Sequence, residues 1–119
     1  MDHKDLDAWK ASMDLTLKLY EVTRDFPKDE LYGLTSQLRR AVISVPSNIA
    51  EGAARSSDKE FAQFLYIALG SLAELETQLL IAERLGYLSE LTPLQDRILP
   101  IKQMVLGLIK YLKGKGPKR

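Results

Sequence analysis

"SVPSNIAEGAARSS", residues 44–57, decides how this chain folds. Apolar residues repeat at helical spacing on both sides of it, yet it holds Pro46, Asn48 and Gly52, which weaken or end helices. Leu31, Leu34, Leu38, Ala41, Val45 and Ile49 step by 3, 4, 3, 4 and 4, and that phase passes Pro46 without slipping. A loop would reset it. The steps predict one long, kinked helix over residues 29–55, capped by Asp29. Two helices broken at Pro46 is the competing reading. Proline inside a helix removes one hydrogen bond and clashes one turn back, at roughly 3 kcal/mol. Ser44, Ser47 and Asn48 are the candidates to satisfy the freed carbonyls.

Downstream, Ser57 followed by Glu60 matches a capping box and opens a helix over 58–86. Its Phe61, Leu65, Ala68, Leu72, Leu75, Leu79 and Ala82 form the seam of a bundle or coiled coil, and Gly86 is a natural stop. Thr92-Pro93 repeats the start signal, as cap and first helical position, for a helix over 93–112. That helix carries Leu94, Ile98, Ile101, Val105, Leu108 and Leu112 in phase, with a kink expected at Pro100. Upstream, a helix over 6–25 ends before Pro27. It has two stripes, one of Leu6, Trp9, Met13, Leu17 and Tyr20, the other of Leu15, Leu19, Val22 and Phe26. No segment alternates apolar and polar residues like a half-buried strand. The expected fold is all-α: an antiparallel up-and-down four-helix bundle, one domain over 1–119, with a basic tail at 113–119.

Composition narrows the function. The chain has no cysteine, which excludes a disulfide framework, a thiolate zinc site and a cysteine nucleophile. Its N-terminus, MDHKDLDAWK, has no apolar region of a signal peptide, and no run reaches the roughly 20 apolar residues that span a bilayer. A cytoplasmic protein without a membrane partner is expected. The single histidine, His3, cannot supply the paired Glu-x-x-His motifs of a two-metal bundle, and it leaves the serines without an obvious base. No enzymatic activity, metal or cofactor is expected.

What remains is surface. The last ten residues hold five basic side chains and no acid, leaving twelve basic against sixteen acidic residues in the rest. Arg39, Arg40, Arg55, Lys59, Lys110, Lys113, Lys115, Lys118 and Arg119 are the candidate contacts to nucleic-acid phosphates, each adding to a salt-dependent affinity. The plainer alternatives are an ion pair to a neighbouring helix for Arg39 or Arg40, and solvation for Arg55, Lys59 and the tail. Apolar residues beside the seams suggest a second buried interface and a homo-oligomer: Val42 and Ile43, then Phe64, Leu69, Leu80 and Ile81. Asn48 and Glu51, polar beside a core position, are expected to hydrogen-bond at a helix crossing or between subunits. A protein scaffold without nucleic-acid binding is the alternative function.

The stretches "DLDAWKASMDLTLKLYEVTRDFP", "YGLTSQLRRAVISVPSNIAEGAARSS", "EFAQFLYIALGSLAELETQLLIAERLGYL" and "MVLGLIKYLK" resemble a bacterial four-helix-bundle family found in intervening sequences of large-subunit (23S) ribosomal RNA genes. The resemblance covers nearly the whole chain, and "SVPSNIAEG" with "EFAQFLYIALGS" is a specific combination. It implies a ring-like homopentamer. It also implies kinship with the accessory variability protein of diversity-generating retroelements, which associates with its reverse transcriptase and nucleic acid. The implied partners are further copies of the chain, RNA or DNA, and a reverse transcriptase or other nucleoprotein. The family's signature falls on Gln37, Arg39, Arg40, Pro46, Asn48, Glu51, Gly52 and Arg55, and on Glu60, Phe61, Gly70, Ser71, Glu74 and Glu76. Pro100 departs from it.

Overall fold

A computed structural model describes residues 1–114 of the chain. Four α-helices follow one another: α1 (Asp7–Thr23), α2 (Leu34–Ala53), α3 (Asp58–Arg84) and α4 (Thr92–Gly114). Short 3-10 turns stand at His3–Asp5 and Lys28–Glu30, and there is no strand among the described residues. α1 packs against α2 and α4, and α3 against α2 and α4, while the diagonal pairs do not meet. The helices thus close round one shared core in a bundle-like arrangement.

The seam of α3 is the most faithful part of the pattern: Phe61, Leu65, Ala68, Leu72, Leu75, Leu79 and Ala82 are all buried. Leu38, Ala41, Val45 and Ile49 face them from α2, and Leu94, Ile98, Ile101, Val105 and Leu112 from α4. Of the two stripes on α1, the one through Leu15, Leu19 and Phe26 enters the core. The other leaves Met13 and Leu17 exposed. Val42, expected at a second interface, is completely buried in the chain's own core.

The helix ends differ from the sequence reading where local bonding overrides periodicity. α1 spans Asp7–Thr23, stopping short of the expected residue 25, as the chain tightens into a turn with Phe26 N–H donating to Thr23 O. α2 begins at Leu34, not at residue 29 with Asp29 as cap. Residues 28–30 form a 3-10 turn instead, and the Glu30 carboxylate accepts from Leu34 N–H at 3.2 Å, serving one of the orphan donors of α2. Leu31 matched the phase but is 46% exposed, because it precedes the helix. α2 ends at Ala53, ahead of the expected residue 55.

Across Pro46 the helix is continuous. The proline leaves the Val42 carbonyl without its i+4 donor. Thr16 of α1 directs its hydroxyl there at 3.5 Å, while also donating to Ser12 O at 2.8 Å. The hydroxyl that faces the freed carbonyl thus comes from the neighbouring helix and shares its one proton with the closer Ser12 O; Ser44, Ser47 and Asn48 do not bond it. Asn48 spends its amide on Ser44, on both its O and its Oγ at 2.8 Å.

α3 starts as its sequence signals. Ser57 Oγ accepts from Glu60 N–H at 3.2 Å, and the Ser57 hydroxyl faces the Glu60 carboxylate at 3.2 Å. It ends at Arg84, with Gly86 at φ 81°. There Gly86 N–H donates to Glu83 O and Tyr87 N–H to Ala82 O, the paired bonds of a Schellman cap. Tyr87 then donates its hydroxyl to Glu30 Oε2 at 2.9 Å, tying the end of α3 to the turn before α2. α4 begins with Leu91 O accepting from Gln95 N–H, so Thr92 lies inside the helix rather than capping it. Pro93 sits in the first turn, where its missing N–H costs nothing. Pro100 is also inside α4, which continues unbroken to Gly114.

Candidate nucleic-acid interface

Among the described residues, the candidate basic side chains do not form one patch. At one end of the molecule the first turn of α3 meets the last turn of α4. Lys59 and Lys113 there line, together with Asp58 and Gln63, a cleft of about 300 Å³ floored by Ala62, Tyr66 and Leu112. The Lys113 ammonium lies 5.1 Å from the centroid of the Tyr66 ring, a cation–π contact that orders it without neutralising it. Lys110 is exposed one turn earlier on α4. Arg55 leaves the end of α2 with its guanidinium 4.7 Å above the Phe64 ring and 3.6 Å from the Glu51 carboxylate. That ion pair is about half exposed, so it holds geometry more than it adds stability. Acids share this end: Asp58 and Glu60 stand in the first turn of α3, where they complement the helix dipole. Lys115, Lys118 and Arg119 lie outside the described residues.

Arg40 and Arg39 lie about 22 and 24 Å back along α2 from Arg55, at 1.5 Å per residue. They point to opposite sides. Arg39 turns towards α1, where its Nε donates to Thr23 Oγ1 at 3.0 Å and its guanidinium lies 4.5 Å over the Tyr20 ring. Among the described residues it takes no carboxylate partner, and it is half-buried, so it serves the α1–α2 contact. Arg40 is exposed and opens onto a polar groove of about 440 Å³ between α2 and α3, lined also by Gln37, Ser44, Glu74 and Gln78. Gln78 is only 8% exposed, and its Oε1 has no hydrogen-bond partner among the described residues.

Asn48 and Glu51 face different neighbours. Asn48 joins a chain that crosses to α3, bonding Ser44, whose Oγ lies 2.7 Å from Ser71 Oγ. Glu51 is exposed and pairs with Arg55. Glu76 pairs with Lys102 of α4. The sequence reading missed the groove, although Arg40 with Ser44 and Glu74 with Gln78 are i,i+4 neighbours on facing helices. It also missed Tyr20 and Thr23 as the seat of Arg39. The signal was a hydroxyl and an aromatic ring three residues apart on α1.

Among the described residues no three histidine or acidic side chains gather as a metal site would require. α3 meets the length and composition of a membrane-crossing helix, contrary to the reading that no run does. A core helix passes the same test, and the seam of α3 is packed inside.

The model of the 23S rRNA-intervening sequence protein family matches residues 4–107, nearly all of the chain. A search among curated proteins returned no match. The chain belongs to the 23S rRNA-intervening sequence protein family.

Proposed function

We propose that this member of the family is a non-enzymatic, cytoplasmic, antiparallel four-helix bundle that assembles as a homo-oligomer, in the ring-like pentamer that the resemblance implies. We propose further that it binds structured RNA at the end where α3 begins and α4 finishes. The short turns between the helices support the antiparallel order. So do the paired contacts Tyr66 with Lys113 and Glu76 with Lys102.

One observation carries the RNA reading: Lys59 and Lys113 come together from two helices on one cleft, where the sequence runs on towards Lys115, Lys118 and Arg119. Within residues 1–114 the acids Glu51, Asp58 and Glu60 offset most of this charge. Lys115, Lys118 and Arg119 follow directly in the sequence and add three further positive charges. A reverse transcriptase or another nucleoprotein fits the same end as a partner.

Fluorescence anisotropy with a structured ribosomal RNA, at low and at physiological salt, tests the reading. Affinity falls steeply with salt, and Lys59→Ala with Lys113→Ala lowers the slope of log K against log salt by about one to two. Deleting residues 115–119 lowers it further. Absence of binding at low salt contradicts RNA binding and leaves a protein scaffold. That second reading draws on Arg39 and Arg55, both already engaged by rings of their own chain.

A further inference from the structure

α3 is apolar on two sides, and its own fold uses only one. Opposite the seam runs a line of Tyr66, Gly70, Ala73, Thr77, Leu80 and Ile81, spaced by 4, 3, 4, 3 and 1 residues and free of charge. Tyr66, Leu80 and Ile81 are 47%, 39% and 45% exposed. Gly70 lies mid-helix, where glycine costs about 1 kcal/mol relative to alanine. A Cβ there would meet nothing within 4 Å, so packing inside the chain gives no reason for it. The contacts of Tyr66 with Lys113 and of Glu76 with Lys102 fix the register with α4. That register sets Leu99 level with Leu80, and Leu106 level with Ala73. Leu99 and Leu106 are both more than half exposed. α3 and α4 together therefore present one broad, mostly apolar face, crossed in the groove between the helices by the Glu76–Lys102 ion pair and bordered at one end by Lys113.

A second, different face lies across the molecule, on α1 and α2. Met13 and Leu17 are exposed on α1, and Ile43 on α2. The contacts of Thr16 with Val42 and of Arg39 with Tyr20 set Ile43 level with the space between those two residues. Half-buried Trp9 and Tyr20 extend the line. Because α1 and α2 touch each other, as do α3 and α4, the two faces look in opposite directions.

We infer that a second copy of the chain covers the α3/α4 face with its α1/α2 face, in a head-to-tail contact that repeats from copy to copy. The inference rests on the homo-oligomer reading above and adds which surfaces meet. Two unlike faces on opposite sides suit a heterologous interface, whereas one face paired with itself would give an isologous dimer and leave the other bare. The size fits. α3 is about 40 Å long at 1.5 Å per residue, and the molecule is 20–23 Å across. That gives on the order of 800 Å² per face, the share of one partner in a standard interface. Gly70 and Ala73 then have a purpose, since small side chains let a neighbouring helix approach closely.

Native mass spectrometry and sedimentation velocity on face-directed variants test this. One variant carries Leu99→Glu and Leu106→Glu, the other Leu17→Glu and Ile43→Glu. Every site is more than 40% exposed, and circular dichroism on the same samples confirms that each keeps its helix content. If either loses helix, the milder serine pair replaces it. Each variant alone is expected to be monomeric, and an equal mixture to form 1:1 dimers through the one intact face on each. Self-dimerisation of either variant would overturn the head-to-tail contact. An oligomer unchanged by both variants would overturn the choice of faces and leave the homo-oligomer standing. A monomeric wild-type protein would sink both, and co-flotation of that monomer with neutral phosphatidylcholine vesicles would identify a lipid surface as the occupant instead.

Discussion

Gly52 stands where α2 approaches the first turn of α3, and a Cβ there would lie 2.8 Å from both Phe61 Cδ1 and Phe64 Cβ. Phe61 is buried and its backbone oxygen is only 3.2 Å away, so the neighbours cannot easily yield. Alanine would gain about 1 kcal/mol of helix propensity against an overpacking cost of roughly 1–3 kcal/mol. Gly52→Ala is expected to lower stability by up to about 2 kcal/mol in urea denaturation at fixed protein concentration. A stabilised variant would show that the contact is loose. Tyr87 makes a second prediction. Its hydroxyl donates to the Glu30 carboxylate, which with partial burial raises its pKa above the ordinary value of 10.0. A group whose pKa is raised on folding contributes stability below its unfolded value and loses it as pH climbs through the folded one. The melting temperature should therefore fall less steeply above pH 10 in Tyr87→Phe than in the wild type. Equal slopes would show that the bond contributes nothing.

At the scale of the helix, what was legible is what periodicity and capping chemistry fix. The α3 seam was fully readable because its heptad spacing leaves one solution. Its two ends were readable because Ser57 and Gly86 act through their own backbone neighbours. The start of α2 was not, because Glu30 caps it from outside the helix and no local motif announces that. Continuity through Pro46 was legible as phase, but its cause was not, since the hydroxyl facing the freed carbonyl belongs to α1. The nine basic residues were visible as candidates. The seats of Arg39, Arg55 and Lys113 follow from facing rings and a hydroxyl that only the packed helices bring near. A double-mutant cycle tests the proline site. Thr16→Val is expected to cost about 0.5–1 kcal/mol in the native background, and less after Pro46→Ala, where the Val42 carbonyl regains a helical N–H. Equal costs in both backgrounds would detach Thr16 from the proline.

At the scale of the whole molecule, both outer faces run along the helices, so cyclic assembly through them would align the copies. Every α3-start and α4-end would then share one rim, multiplying Lys59, Lys113 and the sequence beyond them around it. RNA affinity would come from several modest sites acting together, not from one strong patch. The Leu99→Glu, Leu106→Glu variant is expected to bind structured RNA at least tenfold more weakly than the wild type at low salt, although it keeps every lysine. Undiminished affinity would confine binding to single copies. Self-assembly is the premise on which the rim, the avidity and the use of the apolar faces all depend. It is tested most directly by the mass of the wild-type protein at micromolar concentration, by sedimentation equilibrium. A mass five times the 13.4 kDa of the chain is expected. A mass of 13.4 kDa would contradict the proposal, leaving two apolar faces bare to water and the basic end a single weak site.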